Sequence, residues 1–456
     1  MESEELGWES GPWVFGVQML ACAGMLGYRS LVVPKSLAID KAVIVRFSGS
    51  FVTFQRTFLA VFILASVADA LQVVYTEALY ESYGFKRKEI AILLAVGYGS
   101  SLSLGTIIAA SADYIGRKRA CMLFGFFQAL GCFAKQYPEF RILCFAHVSL
   151  GIATSLLYSS FESWMVVEHE KIFAPVQMGF RQEWLNETFW LMVFSNGVVA
   201  TGCGALANVV ANWRGFIGSA PLISAIVTAL LSILAVKRTF TENVGTSPSL
   251  WRSIGHAVQC LSDRKVLLLG WTQACFDFSV VVFWYLWTPT LVADGREVHS
   301  AVIFTRLIAS MVLGSIITAC LLQGPYFFRP ESFLPIVLFV GGISLFFPAY
   351  NHQEVKVLLW CFCVFHTCVG IALPSLARLR SLYIPNDRRA AVMSIFRIPV
   401  YFAVLVVLIQ GGLHEKLDNS TIFGTAIAGL LSGAGCIHYI ERTRGLPQEL
   451  PLSERP

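Results

Sequence analysis

One feature repeats along the whole chain: an apolar stretch of about 20 residues, the length a helix needs to cross the hydrocarbon core of a bilayer, closed off by a polar cluster. Thirteen such stretches can be marked, at about 12–32, 57–80, 89–111, 119–135, 142–164, 185–209, 216–236, 265–291, 299–322, 333–350, 355–376, 391–412 and 420–439, with Lys135 at the outer edge of the fourth. A water-soluble fold could not absorb so many, because its exterior has to carry charge, whereas lipid accepts an apolar surface. The composition agrees. Of the 456 residues 56% are hydrophobic and only 14% charged, against about 25% charged in a typical soluble domain. The 36 glycines suit closely packed helices. The expected fold is therefore all-α and polytopic, with the lipid bilayer as its solvent.

The same counts exclude other classes. A formal charge of +5, with no basic run longer than Arg117-Lys118-Arg119, does not fit nucleic-acid binding. The 12 cysteines contain no CxxC pair and mostly fall inside apolar stretches, so they read as small buried hydrophobes, and neither a metal site nor a cofactor is expected. The acidic leader from Met1 to Ser10 lacks the basic start of a signal peptide, so the first stretch reads as a retained helix. Without an HExxH, GxSxG or Walker-type loop, an enzyme is not expected.

Thirteen spans put the termini on opposite sides. With the N-terminus outside, the bulk of the 34 Lys and Arg residues fall on inner segments, as the resistance of these side chains to translocation requires; Lys86-Arg87-Lys88 is the exception. The sequon Asn419-Ser420-Thr421 then lies in an outer loop, and the C-terminus is cytoplasmic. The longest internal polar stretch, Lys237 to Lys265, has six spans between it and the first helix and six after it. The expected organisation is an extra N-terminal helix (12–33), an N-terminal six-helix half (54–236), an inner central loop (237–264), a C-terminal half (265–440) and a cytoplasmic tail (441–456). Two six-helix halves joined by a long inner loop describe a parallel-repeat transporter, with its solute site at the midplane.

Between the third and fourth stretches stands Ala112-Asp113-Tyr114-Ile115-Gly116-Arg117-Lys118-Arg119, which matches D-x-x-G-R-K/R. Gly116 permits a tight reversal there, and Asp113 can accept hydrogen bonds from Arg117 and the adjoining helix ends. This resembles the signature loop of the major facilitator superfamily, a gating latch between helices at the inner face, and the resemblance marks Asp113, Gly116, Arg117 and Lys118 as gating residues. Ala109 stands where the pattern usually has Gly, and the corresponding loop of the second half, Gly324-Pro325-Tyr326-Phe327-Phe328-Arg329, carries no second copy. Further segments are similar to the eukaryotic molybdate-anion transporter family. They are Ala68-Asp69-Ala70-Leu71-Gln72 with Tyr75 and Tyr80, Ser160-Phe161-Glu162-Ser163-Trp164 followed by Glu168-His169, Leu261 to Gly270, Gln273 and Asp277 before Leu286-Trp287-Thr288-Pro289, and Phe396-Arg397-Ile398-Pro399. The similarity covers about 54–440 and departs at His147, Ala70 and Ala78. It implies uptake of molybdate, a tetrahedral dianion, across the plasma membrane by alternating access.

Ionisable groups at membrane depth cost about 2.5–3.5 kcal/mol on insertion scales, so each is a functional hypothesis. Asp69, Gln72, Thr76 and Tyr80 share one helix face, as do Ser155, Tyr158, Ser159 and Glu162, and again Gln273, Asp277 and Trp284. Arg397 and Arg306 oppose these carboxylates. An oxyanion wants the paired planar donors of Arg with amide and hydroxyl donors around it, which gives a candidate binding set of Arg397, Arg306, Gln72, Tyr75, Tyr158, Asn186 and Gln273. Asp69, Glu162 and Asp277 are candidates for proton coupling. Three other readings stay open: an organic solute stacked on Trp164, Trp190, Trp284 or Tyr158; a membrane receptor on the same fold; and arginine–carboxylate pairs that only hold helices together. His366 reads as a packing residue.

Overall fold

The computed structural model describes residues 41–74, 76–174, 178–212, 220–246, 249–292, 300–323, 328–349, 355–413 and 418–443, with isolated positions between 20 and 27. The extra helix expected at 12–33, Tyr75 and the tail beyond 443 lie outside the described residues. In chain order the helices are α1 (Lys41–Val74), α2 (Thr76–Ser82), α3 (Arg87–Ser100), α4 (Thr106–Ala110), α5 (Ala112–Ile115), α6 (Arg117–Ala134), α7 (Phe140–Ile172), α8 (Met178–Asn212) and α9 (Ala220–Thr239). After them come α10 (Leu250–Cys260), α11 (Arg264–Val292), α12 (Ser300–Gln323), α13 (Pro330–Phe346), α14 (Val355–Tyr383), α15 (Arg389–Phe396), α16 (Ile398–Val407) and α17 (Asn419–Arg442). Ser101–Gly105 joins α3 to α4 as a π-helical turn, and Leu408–Leu413 continues α16 as another. No strand occurs among the described residues, and ten segments are long and apolar enough to cross a membrane.

Several elements run past the expected limits. Residue 54, expected to open the first half, falls inside α1; the stretch marked 355–376 continues to Tyr383; and the central loop 237–264 contains α10, whose N-cap Ser249 accepts a hydrogen bond from the Arg252 N–H at 3.4 Å. Backbone hydrogen bonding continues a helix wherever its polar ends find water or partners, so hydropathy marks only the apolar middle.

Two bundles form. On the N-terminal side α6 packs on α7 and α9, and α1 on α8 and α9; on the C-terminal side α12 packs on α14, and α17 on α11 and α13. Each bundle has its own core, with Phe58, Phe124, Phe161 and Phe189 in the first and Phe283, Phe362, Leu376 and Phe396 in the second. Small residues allow the closest approaches. A Cβ on Gly314 of α12 would stand 2.1 Å from the Thr367 carbonyl of α14, and one on Gly370 would stand 2.0 Å from the Met311 carbonyl. Exposed Phe126, Phe133, Leu234, Phe339, Trp360 and Phe402 form the apolar surface that lipid would cover. The bundles meet where α8 packs on α12, and α3 on α16 and the turn after it.

Candidate functional site

Between the bundles lies a buried chain of charges. Glu162 of α7 and Arg380 of α14 form a two-pronged ion pair: Nε donates to Oε1 at 3.0 Å and Nη2 to Oε2 at 2.5 Å. The remaining Arg380 nitrogen, Nη1, donates to Gln273 Oε1, and the Gln273 amide donates to Asp277 Oδ1 at 2.9 Å. Gln273 and Asp277 are four apart on α11, so one turn brings them together. The other Asp277 oxygen faces Arg397 Nε at 3.6 Å, an ion pair without a hydrogen bond. Arg397 lies over the Tyr158 ring, 3.6 Å from its centre, while Arg380 is 5.9 Å from the same ring. Ser155 Oγ and Tyr401 OH, 3.3 Å apart, add hydroxyls from both bundles, and the Tyr158 hydroxyl has no hydrogen-bond partner among the described residues. Two arginines thus face two carboxylates, so the formal charges of the cluster balance.

The structure thus gathers Glu162, Tyr158, Gln273, Asp277 and Arg397. It places the other candidates elsewhere. Gln72 is committed to a second cluster, where its Oε1 accepts from Lys135 Nζ at 2.7 Å and the same ammonium donates to Thr76 Oγ1 at 2.8 Å. Asp69 lies beside Gln72 within electrostatic reach of Lys135, and Tyr80 OH pairs with His147 Nε2 at 2.7 Å. The shared face of Asp69, Gln72, Thr76 and Tyr80 therefore looks into the N-terminal bundle and not toward Arg397. Arg306 is buried with its Nε unpartnered among the described residues, and no ion pair joins it to the central chain. Asn186 is buried with Oδ1 unpartnered among the described residues, one turn from Gln182, which accepts from Arg378 at 2.6 Å. His366 sits among Phe283, Trp284 and Phe365, a packing position. Arg380 and Lys135 are, with Arg117, Arg378 and Arg389, buried cations that the span limits assigned to loops.

The signature loop ties the bundles at one end. Asp113, fully buried, accepts from Arg117 Nε at 2.9 Å and Nη2 at 2.6 Å on one oxygen, and from the Ala391 N–H at the start of α15 at 2.9 Å on the other. Arg117 also reaches the Asn386 carbonyl at 2.5 Å. Gly116 takes φ 106°, a backbone conformation that favours glycine, while an added Cβ would meet only the movable end of the Glu242 side chain, Oε1 at 2.3 Å. The connection after α9 threads through this latch: Arg117 N–H donates to the Asn243 carbonyl at 3.0 Å and Gly245 N–H to the Asp113 carbonyl at 2.7 Å. Lys118 stays on its own side, its N–H on Glu242 at 3.1 Å and its Nζ on the Lys237 carbonyl at 2.9 Å. Through these contacts the loop joins the two bundles at that end.

Comparison with known proteins accords with this geometry. The family model described as sugar transporters with 12 transmembrane helices matches residues 26–359. The chain is 32% identical over 358 residues to a molybdate-anion transporter of Xenopus tropicalis, covering 77% of both chains. To that of Xenopus laevis it is 32% identical over 396 residues, 85% of this chain and 86% of the relative. Among solved structures it resembles the human organic anion transporter TETRAN, with TM-score 0.64, 12% identity and coverage of 84% of this chain and 99% of the other. A bacterial ferroportin homologue in an outward-facing state gives TM-score 0.64 at 15% identity, covering 85% and 99%. At such identities the structures speak for the fold alone. Together with the family model and the relatives, they show that this chain belongs to the molybdate-anion transporter family of the major facilitator superfamily.

Proposed function

We propose that the protein is a secondary carrier that takes up molybdate across the plasma membrane by alternating access, with its N-terminus outside and its C-terminus cytoplasmic. The similarity to molybdate-anion transporters supports the substrate. Arg397 is the observation that carries the reading. Its side chain keeps 18% exposure, its nearest carboxylate stands at 3.6 Å, and its Nε has no hydrogen bond among the described residues. An arginine held this loosely can turn its paired N–H groups to two oxygens of a tetrahedral oxyanion. The hydroxyls of Tyr158, Tyr401 and Ser155 supply further donors. Asp277 serves as the coupling carboxylate: an arriving dianion meets like charge there, and a proton on Asp277 removes the repulsion and frees Arg397. Asp113 and Arg117 act as the cytoplasmic gate, with Gly116 shaping the turn and Lys118 tying it to its own bundle.

The test is uptake of radiolabelled molybdate by molybdenum-depleted cells expressing the protein. Arg397→Ala at equal surface level is expected to abolish uptake, and Arg397→Lys to retain a fraction, since a point charge lacks the paired fork. Uptake unchanged in Arg397→Ala refutes the assigned role.

A further inference from the structure

The pair between Glu162 and Arg380 bridges the two bundles, at 218 positions' separation in the chain. Its cation is also near the proposed anion position, since Arg380 and Arg397 both lie within 6 Å of the Tyr158 ring, at 5.9 and 3.6 Å from its centre. Arg380 is at the end of α14, and that end is fastened to the latch. Arg389, fully buried, donates to the carbonyls of Arg380 at 3.1 Å and Ile384 at 3.1 Å and to Asn386 Oδ1 at 3.0 Å, while the Asn386 carbonyl accepts from Arg117. A pull on Arg380 is therefore a pull on the C-terminal side of the closed end.

We infer that Arg380 is a second anion-holding arginine, and that the Glu162–Arg380 crossbar is the contact the substrate must break before the latch end can open. This rests on the reading of the protein as a carrier of molybdate. In the empty site Glu162 neutralises Arg380 and ties the bundles together. A dianion seated on Arg397 at Tyr158 brings twice the charge of one carboxylate to the same guanidinium, so it competes for Arg380 where a neutral solute or a weakly held monoanion would not. Glu162, once released, is hydrated by the water that enters as the bundles part, so no bare carboxylate stays buried. Opening then depends on occupancy, and an empty carrier stays shut at that end.

The consequence has a sign that a purely structural bridge would not give. Glu162 competes with the anion for Arg380, so removing its charge should tighten anion binding, whereas removing the charge of Arg380 should weaken it. The experiment is equilibrium binding of radiolabelled molybdate to the purified full-length protein in lipid nanodiscs, with thermal unfolding measured alongside. Glu162→Gln is expected to bind about tenfold more tightly if the crossbar is formed about nine-tenths of the time in the empty protein, and Arg380→Gln to bind more weakly than the unmutated protein. If Glu162→Gln fails to fold, Glu162→Ala carries the same prediction. Binding by the unmutated protein together with equal or weaker binding by the folded Glu162 variant overturns the crossbar. No molybdate binding by the unmutated protein overturns the functional reading and the crossbar with it.

Discussion

Asp113→Asn tests the latch with little change in shape. The carboxylate accepts three hydrogen bonds, two from Arg117 at 2.9 and 2.6 Å and one from the Ala391 N–H at 2.9 Å. Asparagine offers one acceptor oxygen, and its NH2 must face either Arg117 or the Ala391 N–H, donor against donor. The Arg117 bonds lie within one bundle and survive opening, whereas the bond to Ala391 exists only while the bundles are together. A hydrogen bond to a charged group contributes about 1.5–3 kcal/mol. The closed arrangement should lose about that much relative to the open one, a shift of roughly 10- to 150-fold in their ratio. Hydrogen exchange in lipid nanodiscs reads it at the amides of Gly245 and Ala391, whose acceptors, the Asp113 carbonyl at 2.7 Å and the Asp113 carboxylate at 2.9 Å, both belong to the loop. Peptides covering them should exchange faster by a comparable factor, while the Tyr83 amide, bonded to the Leu79 carbonyl at 3.1 Å, keeps its rate. Unchanged exchange at both latch amides, at unchanged thermal stability, refutes the latch.

Two further substitutions separate packing from transport. Gly370→Ala would place a methyl 2.0 Å from the Met311 backbone carbonyl, so α12 and α14 must part; a loss of about 1–3 kcal/mol and a lower unfolding midpoint are expected, and a midpoint equal to that of the unmutated protein would show that the close approach is not needed. Lys135→Met leaves Gln72 Oε1 and Thr76 without their donor and Asp69 without its nearby charge. Stability should fall by about 1–3 kcal/mol with the KM for molybdate in the surviving protein unchanged; a raised KM would bring this cluster into the transport path.

What the sequence disclosed and what it hid divide along one line. Periodicity and length are local, so the apolar stretches from 57 onward are helices among the described residues, Gln273 and Asp277 meet across one turn, and the Asp113 loop forms the reversal its glycine allows. The partners of buried charges are not local. Arg380 sits at the end of an apolar stretch, where it reads as an anchor on the inner surface, and only the fold brings Glu162 to it from another helix. Lys135 was assigned to an outer loop for the same reason, yet its ammonium is enclosed by Gln72 and Thr76. Hydropathy charges each ionic side chain as though it entered lipid alone, but a cation that enters with its counter-charge presents a nearly neutral group to the surroundings. The same reasoning separates the two arginines that the sequence could rank only by residue type. Arg397 is stacked on Tyr158 beside a carboxylate too distant for a hydrogen bond, while Arg306 has no ion pair with the central chain. An incomplete pair is what a transport site requires: a cation fully satisfied in the empty protein would have nothing left to offer an anion, and one with no counter-charge would hold the anion too tightly to release it.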